Sequence, residues 1–217
     1  MRITKFMAAA TLVLVAGAAR ADGDPAVAKL EASGGTRSWS FIPRGRHERF
    51  GHAESLVAAP VLYVRDQAVD FAHYKDMSNG RIRTSRLVDK RPGSTDVYLQ
   101  VPVLHGMVTL WQVLRFGDVR RAPDGTETLV GHLVRGNVRQ AEMKITIRPA
   151  GANRSIVTCD VLIEPDFFAP QSMVDDELRD AATSAVRALG SHAEKNYIAA
   201  LPRARGGTAV AETGTAR

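Results

Sequence analysis

The chain has 217 residues, of which 45% are hydrophobic and 24% charged, with a formal net charge of +6 and a single cysteine, Cys159. That length and apolar share supply a core for one domain, and one cysteine excludes an internal disulfide framework. The basic residues, among them Arg44, Arg81, Arg115 and Arg120, are scattered and interleaved with acids, which excludes a concentrated nucleic-acid-binding patch.

The first residues carry the order of an export signal. Arg2 and Lys5 form a positive n-region, Phe6 to Ala19 an apolar h-region, and Ala19-Arg20-Ala21 places small residues where a signal peptidase inspects them. The apolar run is about a dozen residues, short of the about 20 that a membrane-spanning helix needs. Residues 1–21 are therefore predicted to be a cleaved signal peptide, and no Cys follows to accept a lipid. The expected mature chain is periplasmic or secreted, with no transmembrane segment after cleavage. Loss of Arg2, Lys5 and Arg20 with the leader halves the formal charge from +6 to +3.

Residues 22–46, broken by Gly34-Gly35 and Pro43, predict a loosely ordered arm. His47 to Ala59 predicts an opening strand, ended by Pro60. Val61 to Met77 then predicts two short helices, with Pro60 suited to the first helical turn and Asp70 placed as an N-cap for the second. Strand signals follow over Ile82–Lys90, Thr95–Val101, Met107–Val119, Thr128–Val138, Ala141–Pro149 and Ser155–Glu164, separated by Gly- and Pro-containing turns. Met143, Ile145 and Ile147 alternate with Glu142, Lys144 and Thr146, and Val157, Cys159, Val161 and Ile163 share one face. That alternation predicts a half-buried antiparallel sheet.

Beyond Pro165 and Pro170 lies the strongest helical pattern. Val174, Leu178, Ala181, Ala185 and Leu189 fall on one stripe, and Asp175-Asp176-Glu177 are placed to load the first turn against the helix dipole. Ala181, Ala182, Ala185 and Ala188 make this face small, so the helix either lies close to the sheet or leaves space beneath it. Residues 202–217, rich in Ala, Gly, Thr and Arg, predict a disordered tail.

Several segments in this order carry a family likeness: Val57-Ala58-Ala59-Pro60 entering the first helix, Val69 to Tyr74 in the second, Asp96-Val97-Tyr98-Leu99 leading into Trp111 to Phe116, and Asp166 to Pro170 before the last helix. Together, over a domain of residues 47–201, they resemble the helix-grip fold of the START and Bet v 1-like (SRPBCC) superfamily, which includes polyketide cyclases and coenzyme-Q-binding proteins. The resemblance implies an α+β domain in which a curved antiparallel sheet of about six or seven strands wraps a long C-terminal helix, with two short helices after the first strand. It also implies an apolar cavity between sheet and helix. The candidate lining is Val97, Leu99, Trp111 and Val113 from the middle strands, Met143, Ile145, Cys159 and Val161 from the last two, and Leu178, Ala182 and Ala185 from the helix. Each of these reads equally well as plain core. On the strand of Trp111, Val108, Leu110, Leu114 and Phe116 form the opposite and more apolar parity.

No reactive signature accompanies this pattern. His47, His52, His73, His105, His132 and His192 lack zinc-ligand spacing, although His73 and His105 could each reach a cavity mouth; no Gly-x-Ser-x-Gly elbow, phosphate loop or dinucleotide fingerprint occurs. Cys159, in mid-strand, reads as a small buried hydrophobe. No catalytic residue, metal or cofactor is expected. The expected function is an extracytoplasmic carrier or sensor of a hydrophobic small molecule: a lipid, an isoprenoid or a polyketide-like compound. The alternatives are a cyclase- or dehydratase-type enzyme, and a domain with a filled cavity whose surface binds a partner protein. The oligomeric state is left open.

Overall fold

The computed structural model describes residues 24–202, so the expected signal peptide and all of the expected tail except Pro202 lie outside the described residues. Where a loose arm is expected, the chain instead forms helix α1 (Pro25–Ala32) and strand β1 (Thr36–Phe41). Asp24 caps α1 by accepting the Ala26 N–H at 2.9 Å, and Pro25 occupies the first turn, where its missing N–H costs nothing. Val27 and Leu30 bury against Ala150 and Ile156, and Arg148 donates to Asp24 at 2.5 Å. Two buried residues anchor this helix, too few to show as a periodic stripe.

Strand β1 pairs antiparallel with β2 (Phe50–Val57), with Thr36 opposite Ser55 and Phe41 opposite Phe50. Next come α2 (Val61–Ala68), a 3-10 turn (Phe71–His73) and α3 (Tyr74–Met77), where two short helices are expected. Asp70 does not cap a backbone N–H; its carboxylate is held by His73 Nδ1 at 2.7 Å instead. The remaining strands are β3 (Thr84–Arg91), β4 (Ser94–Val103), β5 (Val108–Gly117), β6 (Arg120–Arg121), β7 (Glu127–Gly136), β8 (Val138–Pro149) and β9 (Ser155–Pro165). They form one antiparallel sheet of nine strands in the order β1-β2-β9-β8-β7-β5-β4-β3, with β6 beside β7. The strands beyond the expected number are β1 and the two-residue β6. Phe116 on β5 lies over Gly131 of β7, where a Cβ would meet its ring at 2.6 Å, and stacks on Phe71 at 4.6 Å. This fastens the 3-10 turn to the sheet.

Helix α4 (Gln171–Ala200) has 30 residues, about 45 Å of helix. It begins at Gln171, earlier than the stripe indicates, so Asp175, Asp176 and Glu177 sit past its first turn rather than in it. Asp175 accepts from Gln171 at 2.8 Å and pairs with Arg49 at 3.4 Å. Glycines set how closely the helix lies on the sheet. A Cβ on Gly51 of β2 would fall 2.3 Å from the backbone carbonyl of Leu178, and one on Gly190 would fall 3.0 Å from a Val57 methyl. Six strand residues at about 3.4 Å span roughly 20 Å, and twelve helical residues at about 1.5 Å span roughly 18 Å. The two contacts thus lay α4 parallel along β2.

The helix residues in this seat are Leu178, Ala182, Val186, Leu189, Gly190 and Ala193, all buried, above Ala53, Val57, Val157 and Cys159. Val174, Ala181 and Ala185 of the expected stripe are only half-buried, one step around the helix. Among the described residues no helix is long and apolar enough to cross a membrane.

Because a methyl at position 51 collides with helix backbone, Gly51→Ala is expected to lower unfolding stability by about 2–3 kcal/mol. Gly117→Ala, where a Cβ meets nothing within 4 Å, is expected to change stability by less than about 0.5 kcal/mol. Urea denaturation of the two variants checks this; equal stabilities would mean that α4 is not seated on Gly51.

Candidate functional site

Along each strand alternate side chains point to the same face of the sheet. Where α4 is pressed onto β2 and β9 those faces meet the helix directly. Farther across the sheet they do not, and a cavity of about 180 Å³ opens between α4 and strands β4, β5, β8 and β9. Its sheet wall includes Leu99 and Val101 of β4, Leu110, Gln112 and Leu114 of β5, Met143 and Ile145 of β8, and Val161 and Ile163 of β9. Its helix wall includes the half-buried Val174, Ala181, Ser184, Ala185 and Ala188, with Leu178. Tyr74, Met77 and Ile82 add to the wall from the region of α3. Val103 at the end of β4 and Leu104 in the loop after it also line the cavity; Leu104 is in a left-handed conformation at φ 52°, and its N–H donates to Glu177 Oε1 of α4 at 3.3 Å. This bond ties the β4–β5 loop to the helix. Large apolar side chains stand exposed in the two bordering loops, Met107 at 81% and Phe168 at 95% of their accessible surface.

Of the residues expected from sequence to line a cavity, Leu99, Met143, Ile145, Val161, Leu178 and Ala185 are on its wall. Val97, Cys159 and Ala182 are fully buried in the adjoining packed core and do not reach it. Cys159 sits opposite Ala53 of β2, under the seat of the helix. Trp111 and Val113 require correction: they lie on the other face of the sheet. Val113 is in register with Tyr98, Trp111 stacks on Tyr98 at 6.2 Å, and Arg86 lies over the Tyr98 ring at 4.7 Å. The inward parity of β5 is that of Leu110, Leu114 and Phe116, because these three apolar side chains outweigh Trp111 and Val113, and Trp111 finds an aromatic partner outside. That parity was readable in the sequence; Tyr74 and Met77 were not, since only the tertiary fold brings α3 to the cavity.

The polar groups of the wall are mostly occupied by the protein itself. The buried Tyr74 hydroxyl donates to the Ala68 carbonyl at 2.5 Å, and burial drives its ionisation far above the ordinary tyrosine range. Ser78 Oγ donates to the Lys75 carbonyl at 2.8 Å and accepts the Ile82 N–H at 2.9 Å. Arg81 donates to Asp180 at 3.2 Å. His73 stands exposed on Asp70, away from the wall, and the contact raises its pKa. His52 bonds Asp160 at 2.5 Å and packs against Trp39 on the outer face of the sheet. Among the described residues no group of His, Cys, Asp and Glu is arranged to hold a metal ion.

A long helix gripped by a curved antiparallel sheet, with an apolar cavity beneath it, defines a helix-grip domain, the fold of the START/Bet v 1-like superfamily. Solved structures with this fold include a STAR-related lipid transfer protein from Xanthomonas axonopodis, similar over 73% of this chain and 93% of that one with 18% identity and a TM-score of 0.62. Human StAR-related lipid transfer protein 5 is similar over 75% of this chain and 83% of its own, with 11% identity and a TM-score of 0.59. The ZhuI aromatase/cyclase from Streptomyces is similar over 74% and 99%, with 19% identity and a TM-score of 0.50. No protein-family model matches the sequence, and no curated protein does.

Burial pushes the Cys159 thiol well above its ordinary pKa, and the neighbouring Asp160 adds to the shift. A thiol reagent at about pH 8 is therefore expected to leave Cys159 unmodified in the folded protein and to modify it fully in denaturant. Rapid labelling of the folded protein would place the thiol at the cavity surface instead.

Proposed function

We propose that the protein binds a hydrophobic small molecule, a lipid, an isoprenoid or a polyketide-like compound, in the cavity beneath α4, and that it works outside the cytoplasm as a carrier or sensor. The observation that carries this reading is the cavity itself. Left unfilled, a cavity of about 180 Å³ costs on the order of 4 kcal/mol at roughly 24 cal/mol per Å³. Larger side chains at Ala181, Ala185 and Ala188 would close it, yet the helix presents methyl groups there. The volume is below the roughly 300–1,000 Å³ of common small-molecule sites, which favours a slender ligand or one whose far end stays in the mouth. The similar structures support the reading, being lipid transfer proteins and an aromatase/cyclase by name.

Native mass spectrometry of protein purified from its own host is expected to show a copurifying apolar compound. In a thermal-shift panel of fatty acids, quinones and isoprenoid alcohols, at least one compound is expected to raise the melting temperature by several degrees. A ligand at about 100 times its Kd adds about 2.7 kcal/mol. Ala185→Phe, which fills the cavity, is expected to abolish the shift while melting no lower than the parent. An empty protein that no compound stabilises would overturn the reading.

The extracytoplasmic part rests on the ordering of residues 1–21 and is tested separately. Intact-mass analysis of the protein from its host is expected to find a chain beginning at Asp22 in the extracytoplasmic fraction. A full-length chain confined to the cytoplasm would overturn it.

A further inference from the structure

Most polar side chains on the cavity wall already have a protein partner; Gln112 and the half-buried Ser184 have none among the described residues, and of these two Gln112 is the buried one. It is 5% exposed, it lies on the wall between Leu110 and Leu114, and its Oε1 has no hydrogen-bond partner among the described residues. An unpaired buried carbonyl oxygen is destabilising, because it has given up its bond to water and gained none in return. The neighbouring strands offer it nothing, because across β4 the residue in register is Leu99 and across β7 it is Gly136. A Cβ at Gly136 would fall 2.5 Å from the Trp111 carbonyl oxygen and 3.3 Å from Gln112's own Cβ. Position 136 is thereby held to glycine, and no β7 side chain covers the amide. The other buried polar atoms without a partner, Ser40 Oγ, His52 Nε2 and Glu127 Oε2, belong to residues that do not line the cavity.

From this we infer that Gln112 is the polar anchor of the cavity and that the bound molecule is a neutral alcohol, whose hydroxyl pairs with the Gln112 amide while its hydrocarbon part lies against Leu99, Leu110, Leu114 and Ile145. This rests on the cavity being a ligand site and specifies what it takes. A hydroxyl suits the amide in either orientation, since it both donates and accepts. A free fatty acid suits it poorly. Its carboxylate would enter an apolar wall whose cation, Arg81, is already engaged by Asp180, and an unpaired buried charge is far costlier than an unpaired hydroxyl. A pure hydrocarbon would leave the amide unpaired.

The test is the affinity of the mature protein for matched ten-carbon probes, decanol, decane and decanoate, at neutral pH by displacement of an apolar fluorophore. Decanol is expected to bind at least about tenfold more tightly than either of the others, a difference of about 1.4 kcal/mol. In Gln112→Leu, and in Gln112→Met as a second variant, decanol and decane are expected to bind within about twofold of each other, with decane as tight as in the parent or tighter. Both variants are expected to melt at or above the parent, because they remove an unpaired amide; a residue with a purely structural bond would lower it. Equal binding of decanol and decane by the parent overturns the anchor and leaves the cavity reading standing. Preference for decanoate overturns the alcohol assignment. Binding of none of the three, with no stabilising compound in the wider panel, overturns the cavity reading and this inference with it.

Discussion

A helix backbone approaches a strand backbone this closely only where a side chain is missing between them, and here that place is Gly51 under Leu178. Everything on the inner face follows from that contact and its counterpart at Gly190 and Val57. With α4 laid along β2, the residues directly below it, Ala53, Val57, Val157 and Cys159, are sealed into a dry core. The sheet curves away toward β4 and β5 while the helix stays on its seat, so the gap between them widens across the sheet. Residues one step around α4, Ala181, Ala185 and Ala188, then face space instead of partners. The seat and the cavity are two consequences of one geometric decision.

The connecting segments keep that arrangement in place. Phe116 over Gly131, stacked on Phe71, pins the helical segment that brings Tyr74 and Met77 to the cavity. Glu177 accepting the Leu104 N–H holds the β4–β5 loop to the helix. On the outer face, Asp96 and Arg115 form a bidentate pair at 2.7 and 2.8 Å, which holds the Asp96 carboxyl below its usual range. The charged chemistry therefore sits on the outside of the sheet and at the cavity's margins, and the wall itself is mostly hydrocarbon with a few uncharged polar groups, Tyr74, Ser78, Gln112 and Ser184.

Much of this architecture was legible in the residues. Alternation over 141–149 and 155–164 marked β8 and β9, and the apolar stripe from Val174 to Leu189 marked α4, because burial on one face imposes a period that composition records. The early segment was not legible, for a physical reason. Helix α1 has Val27 and Leu30 as its buried anchors, and β1 (Thr-Arg-Ser-Trp-Ser-Phe) is a half-buried edge strand without apolar alternation. Its order comes from pairing with β2 and from the Asp24–Arg148 contact, partners distant in sequence. Both parities of β5 contain apolar residues, so only the balance toward Leu110, Leu114 and Phe116 marked its inward face, and Tyr98 gives Trp111 its partner outside.

What the residues determined by themselves was the order of elements, their amphipathic faces and the small-residue character of the last helix, since these depend on local periodicity and on the cost of exposing apolar surface. What only the tertiary structure decided was which of those faces touch. Gly51 is, in the sequence, an unremarked glycine between Phe50 and His52, and Gln112 a polar interruption in an apolar strand. Across the folded sheet the first became the seat of the helix and the second an unpaired amide on a hydrocarbon wall. The distance between two backbones and the presence of a hydrogen-bond partner depend on residues far apart in the chain, and no local pattern carries them.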